Sequence, residues 1–68
     1  SREWSSEVAD ALGTLSEESR TALLLAAQGF VGREIADAIG RSEAATRTLM
    51  CRARQQMRRE IERREVAG

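Results

Sequence analysis

The stretch from Gly40 to Arg54 constrains the fold of this chain more than any other. It begins with glycine, arginine and Ser42, and it continues with apolar residues that recur at helical spacing. Glycine tolerates the left-handed backbone that ends a helix, and a serine hydroxyl accepts a hydrogen bond from a first-turn amide of the next helix. Two helices joined by about three residues, with glycine in the turn, have the outline of a helix-turn-helix. We therefore predict such a motif over about residues 32–56.

Helical patterns extend over nearly the whole chain, which favours an all-α fold. The chain lacks proline and is rich in alanine, leucine, arginine and glutamate, which have high helix propensity. Serine caps, stops at Gly13, Gly29 and Gly40, and apolar periodicity predict helices at about residues 3–12, 17–28, 32–39 and 42–65. We expect residues 1–68 to form a single small four-helix domain with a long last helix. Because both ends are abrupt, we expect it to be a piece of a longer protein.

The predicted core takes one apolar stripe from each helix. Trp4 is expected to anchor the first helix in the core, and Phe30 to fill the core at the turn after the second. The second helix is apolar nearly all round, which predicts that it is buried at the centre. The third helix has no good cap, because Val31 precedes it. The predicted inner faces are Ile35, Ala36 and Ile39 in the third helix, and Thr46, Met50, Ala53, Met57 and Ile61 in the fourth, with Leu49 beside them.

Length and composition exclude several classes of function. A chain of 68 residues buries only about 60% of its unfolded surface and has no room for a substrate cleft, so we do not expect an enzyme. With one cysteine, Cys51, and no histidine, neither a disulfide, a protein-only zinc site nor a cysteine–histidine nucleophile is expected. We expect no cofactor. The chain has neither a run of about 18 apolar residues nor a signal-peptide pattern, so the expected location is the cytoplasm, without a membrane partner.

The charged residues are distributed unevenly although the net charge is zero. Residues 1–40 hold three arginines against seven acidic residues, whereas residues 41–68 hold eight arginines against four. All eleven basic residues are arginine, whose planar fork suits phosphate and guanine edges. The pattern predicts a monomeric domain with one side that faces nucleic acid. A solvated face with ion pairs is the alternative, and it fits the tail at residues 58–65 better than residues 47–54.

The exposed side of the fourth helix has the residue types that a DNA-reading helix needs. Ala44 leaves room for close approach to the major groove, and Arg47 can reach guanine O6 and N7 or a phosphate. Thr48 is a short hydroxyl suited to a base edge or a phosphate, and the helix N-terminal amides favour phosphate. The candidate DNA-binding residues are Arg41, Ser42, Glu43, Ala44, Arg47, Thr48, Arg52 and Arg54.

Several segments together resemble the fourth conserved region of bacterial sigma factors, most closely that of the extracytoplasmic-function group. They are LSEESR at 15–20 with the leucine-rich helix after it, REIADAIG at 33–40, and residues 41–54 ending in CRAR. The resemblance covers about residues 8–60, and the Arg-Ala-Arg triplet is its most distinctive part. In that family the domain docks on the β-subunit flap of RNA polymerase, and its helix-turn-helix reads the promoter −35 element. Anti-sigma factors often occlude it.

The resemblance implies a role for each matching residue. Arg41, Ser42, Glu43, Ala44, Arg47 and Thr48 would lie at the −35 bases and flanking phosphates, and Arg52 and Arg54 on the DNA backbone. An apolar surface around Leu12, Leu15 and residues 23–25 would serve both the core and polymerase docking.

Four positions depart from what this family or DNA contact favours. Val31 replaces a serine or threonine that usually caps the third helix, Thr46 replaces an aliphatic core residue, and Cys51 replaces a frequent histidine. The first two should reduce local stability. Glu43 would repel a nearby phosphate, although it could accept from a cytosine amine. With a net charge of zero, the domain alone should bind DNA weakly and depend on tethering to polymerase.

Two other functions compete with promoter recognition. Residues 25–36 also resemble the LuxR-type output domain of response regulators, whose recognition helix normally ends sooner and lacks the Arg-Ala-Arg run. A helical protein-interaction module, with arginines that only solvate it, belongs to a different class of function. Copurification with core RNA polymerase would distinguish a sigma factor from a LuxR-type output domain. Salt-dependent DNA binding would distinguish a DNA-binding domain from a protein-interaction module.

Overall fold

The computed structural model describes the backbone of residues 5–67 and the side chains of residues 5–65. Within this range there are four α-helices and no strand: α1 (Ser6–Gly13), α2 (Glu17–Ala27), α3 (Gly32–Ile39) and α4 (Glu43–Ala67). The predicted all-α, four-helix fold with a long last helix is confirmed. Among the described residues, no helix combines the length and apolar character that a membrane crossing requires.

Serine side chains cap three of the four helix starts. The Oγ atoms of Ser5, Ser16 and Ser42 accept hydrogen bonds from the amides three residues on, at 3.1–3.2 Å. The caps at Ser16 and Ser42 are therefore as predicted. The predicted start of the first helix at residue 3 is wrong, because Ser5 has an extended backbone (φ −63°, ψ 157°) and α1 begins at Ser6. The expectation for Trp4 lies outside the described residues.

The start of α3 is stabilised from within the helix. Val31 is its N-cap and makes no side-chain capping hydrogen bond, as predicted. The carboxylate of Glu34 reaches back and accepts a hydrogen bond from the Val31 amide at 2.9 Å. This is the carboxylate half of a capping box: the Val31 amide has an acceptor, while the first-turn amides have no side-chain acceptor from Val31.

Two of the three glycines predicted to end helices have the left-handed backbone, with positive φ, that is typical of this position. Gly29 (φ 99°) follows α2, and Gly40 (φ 73°) follows α3, where the next amide, that of Arg41, donates to Ala36 O at 3.0 Å. α1 also ends at Gly13 as predicted, but not through a left-handed glycine. Gly13 is the last residue of the helix, and Thr14, in right-handed backbone, is the C-cap.

The core consists of two clusters that share α4. In the first, Leu12 and Leu15 pack with Ala53. In the second, Ala22 and Ile35 pack with Met50. The predicted inner faces of α3 and α4 are confirmed, since Ile35, Ala36, Thr46, Met50 and Ala53 are buried and Ile39, Leu49, Met57 and Ile61 are half-buried.

Two predicted core features are wrong. Phe30 is 44% exposed and does not fill the core, and in α2 only Ala22 is buried while the leucines are half-buried. The shape of the molecule explains this, because its shortest extent is 15 Å. Helices pack about 8–10 Å apart, so there is room for only two layers and none to enclose α2 on all sides.

α4 runs the whole length of the molecule. Its 25 residues span about 37 Å at 1.5 Å per residue, close to the longest extent of 38 Å. All three other helices pack on it. Gln56 also ties it to the loop after α1, since its Nε2 donates to Thr14 O at 3.2 Å and Oγ1 at 3.3 Å. The N-terminal half of α4 is therefore held rigidly against the rest of the domain.

Candidate nucleic-acid interface

The first three turns of α4 divide into a buried side and an exposed side. Thr46, Met50 and Ala53 are buried against the other helices. Ala44 and Thr48 lie on the opposite side and are exposed, and so are the other candidate residues, which are Arg41, Ser42, Glu43, Arg47, Arg52 and Arg54. The structure therefore brings all eight candidates to the surface around the start of one helix.

Local hydrogen bonds hold the beginning of this helix. Besides the cap to the Ala45 amide, Ser42 O accepts from the Thr46 amide at 2.9 Å. The Ser42 Oγ atom already accepts from the Ala45 amide, and its hydroxyl proton remains free to donate to a ligand. Thr48 Oγ1 donates to Ala44 O at 3.3 Å, which leaves its oxygen lone pairs to accept from a ligand. Both hydroxyls are thus oriented by the helix itself.

One flank of α4 forms a groove with the start of α2. We call it the α2–α4 groove, and its lining residues are Ser19, Arg41, Ala45, Thr48, Leu49 and Arg52. Two guanidinium groups and two hydroxyls line it, and none of its lining residues is acidic. The two guanidinium groups suit an anionic ligand such as a phosphate.

Arg41 makes an ion pair at the edge of this groove. Its Nε donates to Oε2 of Glu18 in the first turn of α2. The hydrogen bond from Arg41 holds the pKa of the Glu18 carboxyl below its usual range, and the same bond raises the pKa of the Arg41 guanidinium. Arg41 is therefore the one candidate arginine that has an acidic partner among the described residues.

The other flank of α4 forms a crevice with the start of α3. We call it the α3 crevice, and its lining residues are Ala26, Phe30, Gly32, Ile35, Glu43, Thr46, Arg47, Met50 and Arg54. Arg47 and Arg54 lie one above the other on this flank, seven residues apart, and Glu43 lies one turn before Arg47. The eight candidates therefore do not form one continuous cluster, since Arg47 and Arg54 line the crevice while Arg41 and Arg52 line the groove.

Thr46 is a buried polar residue that lines the α3 crevice. Its side chain is 1% exposed, and its Oγ1 makes no hydrogen bond in the described part of the chain. A buried hydroxyl without a partner costs about 1–3 kcal/mol. This observation agrees with the prediction that a threonine at this core position reduces local stability.

Sequence reasoning missed three residues that belong to these flanks. Glu18 and Ser19 reach the groove from α2, and Phe30 lines the crevice instead of the core. No periodicity or cap signal links Glu18 with Arg41, which lies 23 positions further along the chain. A pairing at that distance depends on how α2 packs on α4, which local sequence patterns do not encode.

The arrangement suits the binding of a polyanion. The described residues hold no group of three potential metal ligands, and Cys51 is an exposed free thiol. Three arginines, Arg47, Arg52 and Arg54, carry no ion pair within residues 5–65. They surround the N-terminal half of one helix, as expected for a helix that contacts DNA bases and phosphates.

Comparison with known proteins agrees with this geometry. A protein-family model described as "Sigma-70, region 4" matches residues 5–57, well over half of the chain. Neither the curated proteins nor the solved structures gave a significant match. The matched range includes α1, α2, α3 and the arginine-lined half of α4. This chain belongs to the sigma-70 region 4 family.

Proposed function

We propose that this chain recognises the promoter −35 element as region 4 of a sigma factor, through a helix-turn-helix over about residues 32–56. The observation that carries the proposal is the set of unpaired, exposed arginines on the capped half of α4 in a chain of this family. Promoter DNA and RNA polymerase are the partners that the family implies, and it is a non-catalytic, DNA-binding family.

We infer different roles for the candidate residues from where they lie around and along α4. We assign base reading to Ala44, Arg47 and Thr48, because they lie within the first two turns of the exposed side, where a recognition helix contacts base edges. We assign phosphate contacts to Arg41, Arg52 and Arg54, which lie on both flanks and can straddle the groove. Ser42 offers a hydroxyl donor beside the phosphates, and Glu43 would accept from a cytosine amine.

The second part of the proposal is that the domain acts while bound to core RNA polymerase in the cytoplasm. We propose the β-subunit flap as its docking site, and the extracytoplasmic-function group as its subfamily, with an anti-sigma factor as a possible regulator of the same surface. Leu12 and Leu15 are buried, so docking would rest on the half-buried leucines of α2. Tethering would compensate for the weak binding expected of a chain with zero net charge.

The test begins with selection of preferred duplexes from a randomised pool, followed by fluorescence anisotropy on selected and scrambled duplexes. Affinity should fall steeply with salt, because arginine–phosphate contacts release counterions. Arg52 and Arg54, with Arg41 shared between Glu18 and a phosphate, predict a slope of log affinity against log salt of about −2 to −3. Selected duplexes should bind more tightly than scrambled ones at every salt concentration.

Two outcomes would overturn the proposal. Absence of binding at low salt, in this chain and in the full-length protein that contains it, would favour a protein-interaction module. Sequence-specific binding without copurification of core RNA polymerase with the full-length protein would favour a response-regulator output domain. Copurification together with a selected −35-like sequence is the result we expect.

A further inference from the structure

Glu18 lies beside Arg41, one of the arginines to which we assign a phosphate contact. Its carboxylate is paired with Arg41, whose side chain lines the α2–α4 groove together with Arg52 and Thr48. Ser19, the residue after Glu18, lines the same groove. A carboxylate therefore lies beside the cluster of donors to which we assign phosphate binding, and it neutralises one of the two guanidinium groups there.

The pair can open at small cost. Both side chains reach solvent, with 31% of the Glu18 side chain and 49% of the Arg41 side chain exposed. Exposed ion pairs of this kind contribute little to stability, because water solvates the separated charges. Glu18 also lies in the first turn of α2, where the positive end of the helix favours a carboxylate even without Arg41. A phosphate can thus take Arg41 without leaving Glu18 as a buried, uncompensated charge.

We propose that Glu18 competes with DNA phosphate for Arg41 and thereby lowers the affinity of this domain for any DNA backbone. The inference rests on the proposed DNA-binding function and adds a residue to that site. Because the competition concerns a phosphate contact, it weakens binding to preferred and random sequences by the same factor. The result is a domain that stays on random DNA only briefly unless base contacts or a tether hold it there.

The test compares Glu18→Gln with Glu17→Gln on a random-sequence duplex. Glu17 is a matched control, since it lies in the same turn of α2 and is exposed, and no ion pair of the described side chains includes it. Both changes remove one negative charge, but only the first frees Arg41. We expect Glu18→Gln to tighten binding roughly two- to fivefold more than Glu17→Gln does. It should also steepen the salt slope by about one, because Arg41 then neutralises a phosphate fully.

Combining Glu18→Gln and Glu17→Gln each with Arg41→Gln completes a double-mutant cycle. In the Arg41→Gln background, Glu18→Gln should give no more than the effect of Glu17→Gln, because the arginine for which the carboxylate competes is gone. A scrambled and a selected duplex should show equal factors for Glu18→Gln. Thermal melting of each variant checks that the fold is retained.

Three results would overturn the inference. Equal effects of Glu18→Gln and Glu17→Gln would mean that general charge, and not competition for Arg41, sets the affinity. Weaker binding by Glu18→Gln would mean that Glu18 positions Arg41 for DNA. If every variant and the parent chain failed to bind DNA at low salt, the proposed function would fail, and this inference with it.

Discussion

α4 changes character along its length, although it is arginine-rich throughout. In residues 43–54 one side is buried against α2 and α3, and the exposed Arg47, Arg52 and Arg54 have no acidic partner among the described residues. In residues 58–65 no side chain is fully buried, and Glu60 accepts hydrogen bonds from Arg63 at 3.1 Å and Arg64 at 2.8 Å. Among the described side chains, all three arginines of the first half are unpaired, whereas two of the four arginines in the tail are paired.

The difference shows why the number of arginines alone says little about DNA binding. Where acidic residues lie three or four positions away on the same helix face, the guanidinium groups are neutralised locally. The hydrogen bond from Arg64, with the charges of Arg63, Arg64 and Arg59, keeps the pKa of the Glu60 carboxyl below its usual range. Residues 44–54 contain no acidic residue, and Glu43, one turn before Arg47, makes no ion pair with it among the described side chains. The guanidinium groups there remain available for an external anion.

The largest difference between the halves should be in stability. We expect Met50→Ala to lower the free energy of unfolding by about 2–5 kcal/mol, because a buried side chain of the second cluster is replaced by a cavity. Ile61→Ala, in the half-buried tail, should cost about 1 kcal/mol or less. Urea denaturation followed by circular dichroism measures both. Equal costs would show that the tail contributes to the fold as much as the first half.

The next effect concerns DNA. We expect Arg47→Ala to reduce affinity for a selected duplex by about 1–3 kcal/mol, with a smaller loss on scrambled DNA, because a bidentate base contact is removed. Arg63→Ala is the control from the second half, and it should change neither affinity, since Arg63 is paired with Glu60. Fluorescence anisotropy at one fixed salt concentration measures all the affinities.

Arg54→Ala sharpens the same test. As a phosphate contact, Arg54 should contribute equally to selected and scrambled duplexes, and its loss should make the salt slope shallower by about one. Equal losses on both duplexes for Arg47→Ala would reject its role in reading bases. A loss for Arg63→Ala as large as that for Arg54→Ala would show that the paired tail also contacts DNA.

A smaller change is expected from the unpaired hydroxyl of the first half. Thr46→Val should raise the free energy of unfolding by about 1 kcal/mol, because it removes a buried hydroxyl without a partner. In a domain of this size that corresponds to a rise of about 4–8 °C in Tm. Thr48→Val is the control, since Thr48 is exposed and its hydroxyl donates to Ala44 O. A loss of stability for Thr46→Val would show that its hydroxyl is satisfied in solution.

The smallest effect belongs to the ion pairs of the tail. Because the folded pKa of Glu60 is lowered, its pairing stabilises the fold at pH values above the ordinary glutamate pKa, and this contribution is lost as the pH falls through the folded value. We therefore expect Glu60→Gln to lower Tm slightly at neutral pH and to approach the Tm of the parent chain as the pH falls through the folded pKa of Glu60. A difference that persists unchanged at low pH would argue against the ion pairs as its cause.

The features predicted correctly from the sequence are those that short-range patterns determine. The caps at Ser16 and Ser42, the stop at Gly40 and the inner faces of α3 and α4 all follow from residues within a few positions of one another. In the tail, Glu60 pairs with Arg63 and Arg64 at spacings of three and four positions on one helix, which is likewise a short-range pattern.

What the sequence could not predict depends on how the helices are arranged in space. Phe30 was expected in the core because it is aromatic and follows an apolar helix, but the two-layered molecule leaves it at the edge of the α3 crevice. The Glu18–Arg41 pair joins residues on different elements.

Because α4 contributes Ala53 to one core cluster and Met50 to the other, the two clusters are linked through one turn of backbone. Neither cluster can lose its share of α4 without exposing the other, so the domain should unfold as a single cooperative unit. Amides in that turn should then exchange with solvent only when the whole chain opens. A mutation in α1, far from the DNA-facing side chains, would on this view reduce binding by depleting the folded population.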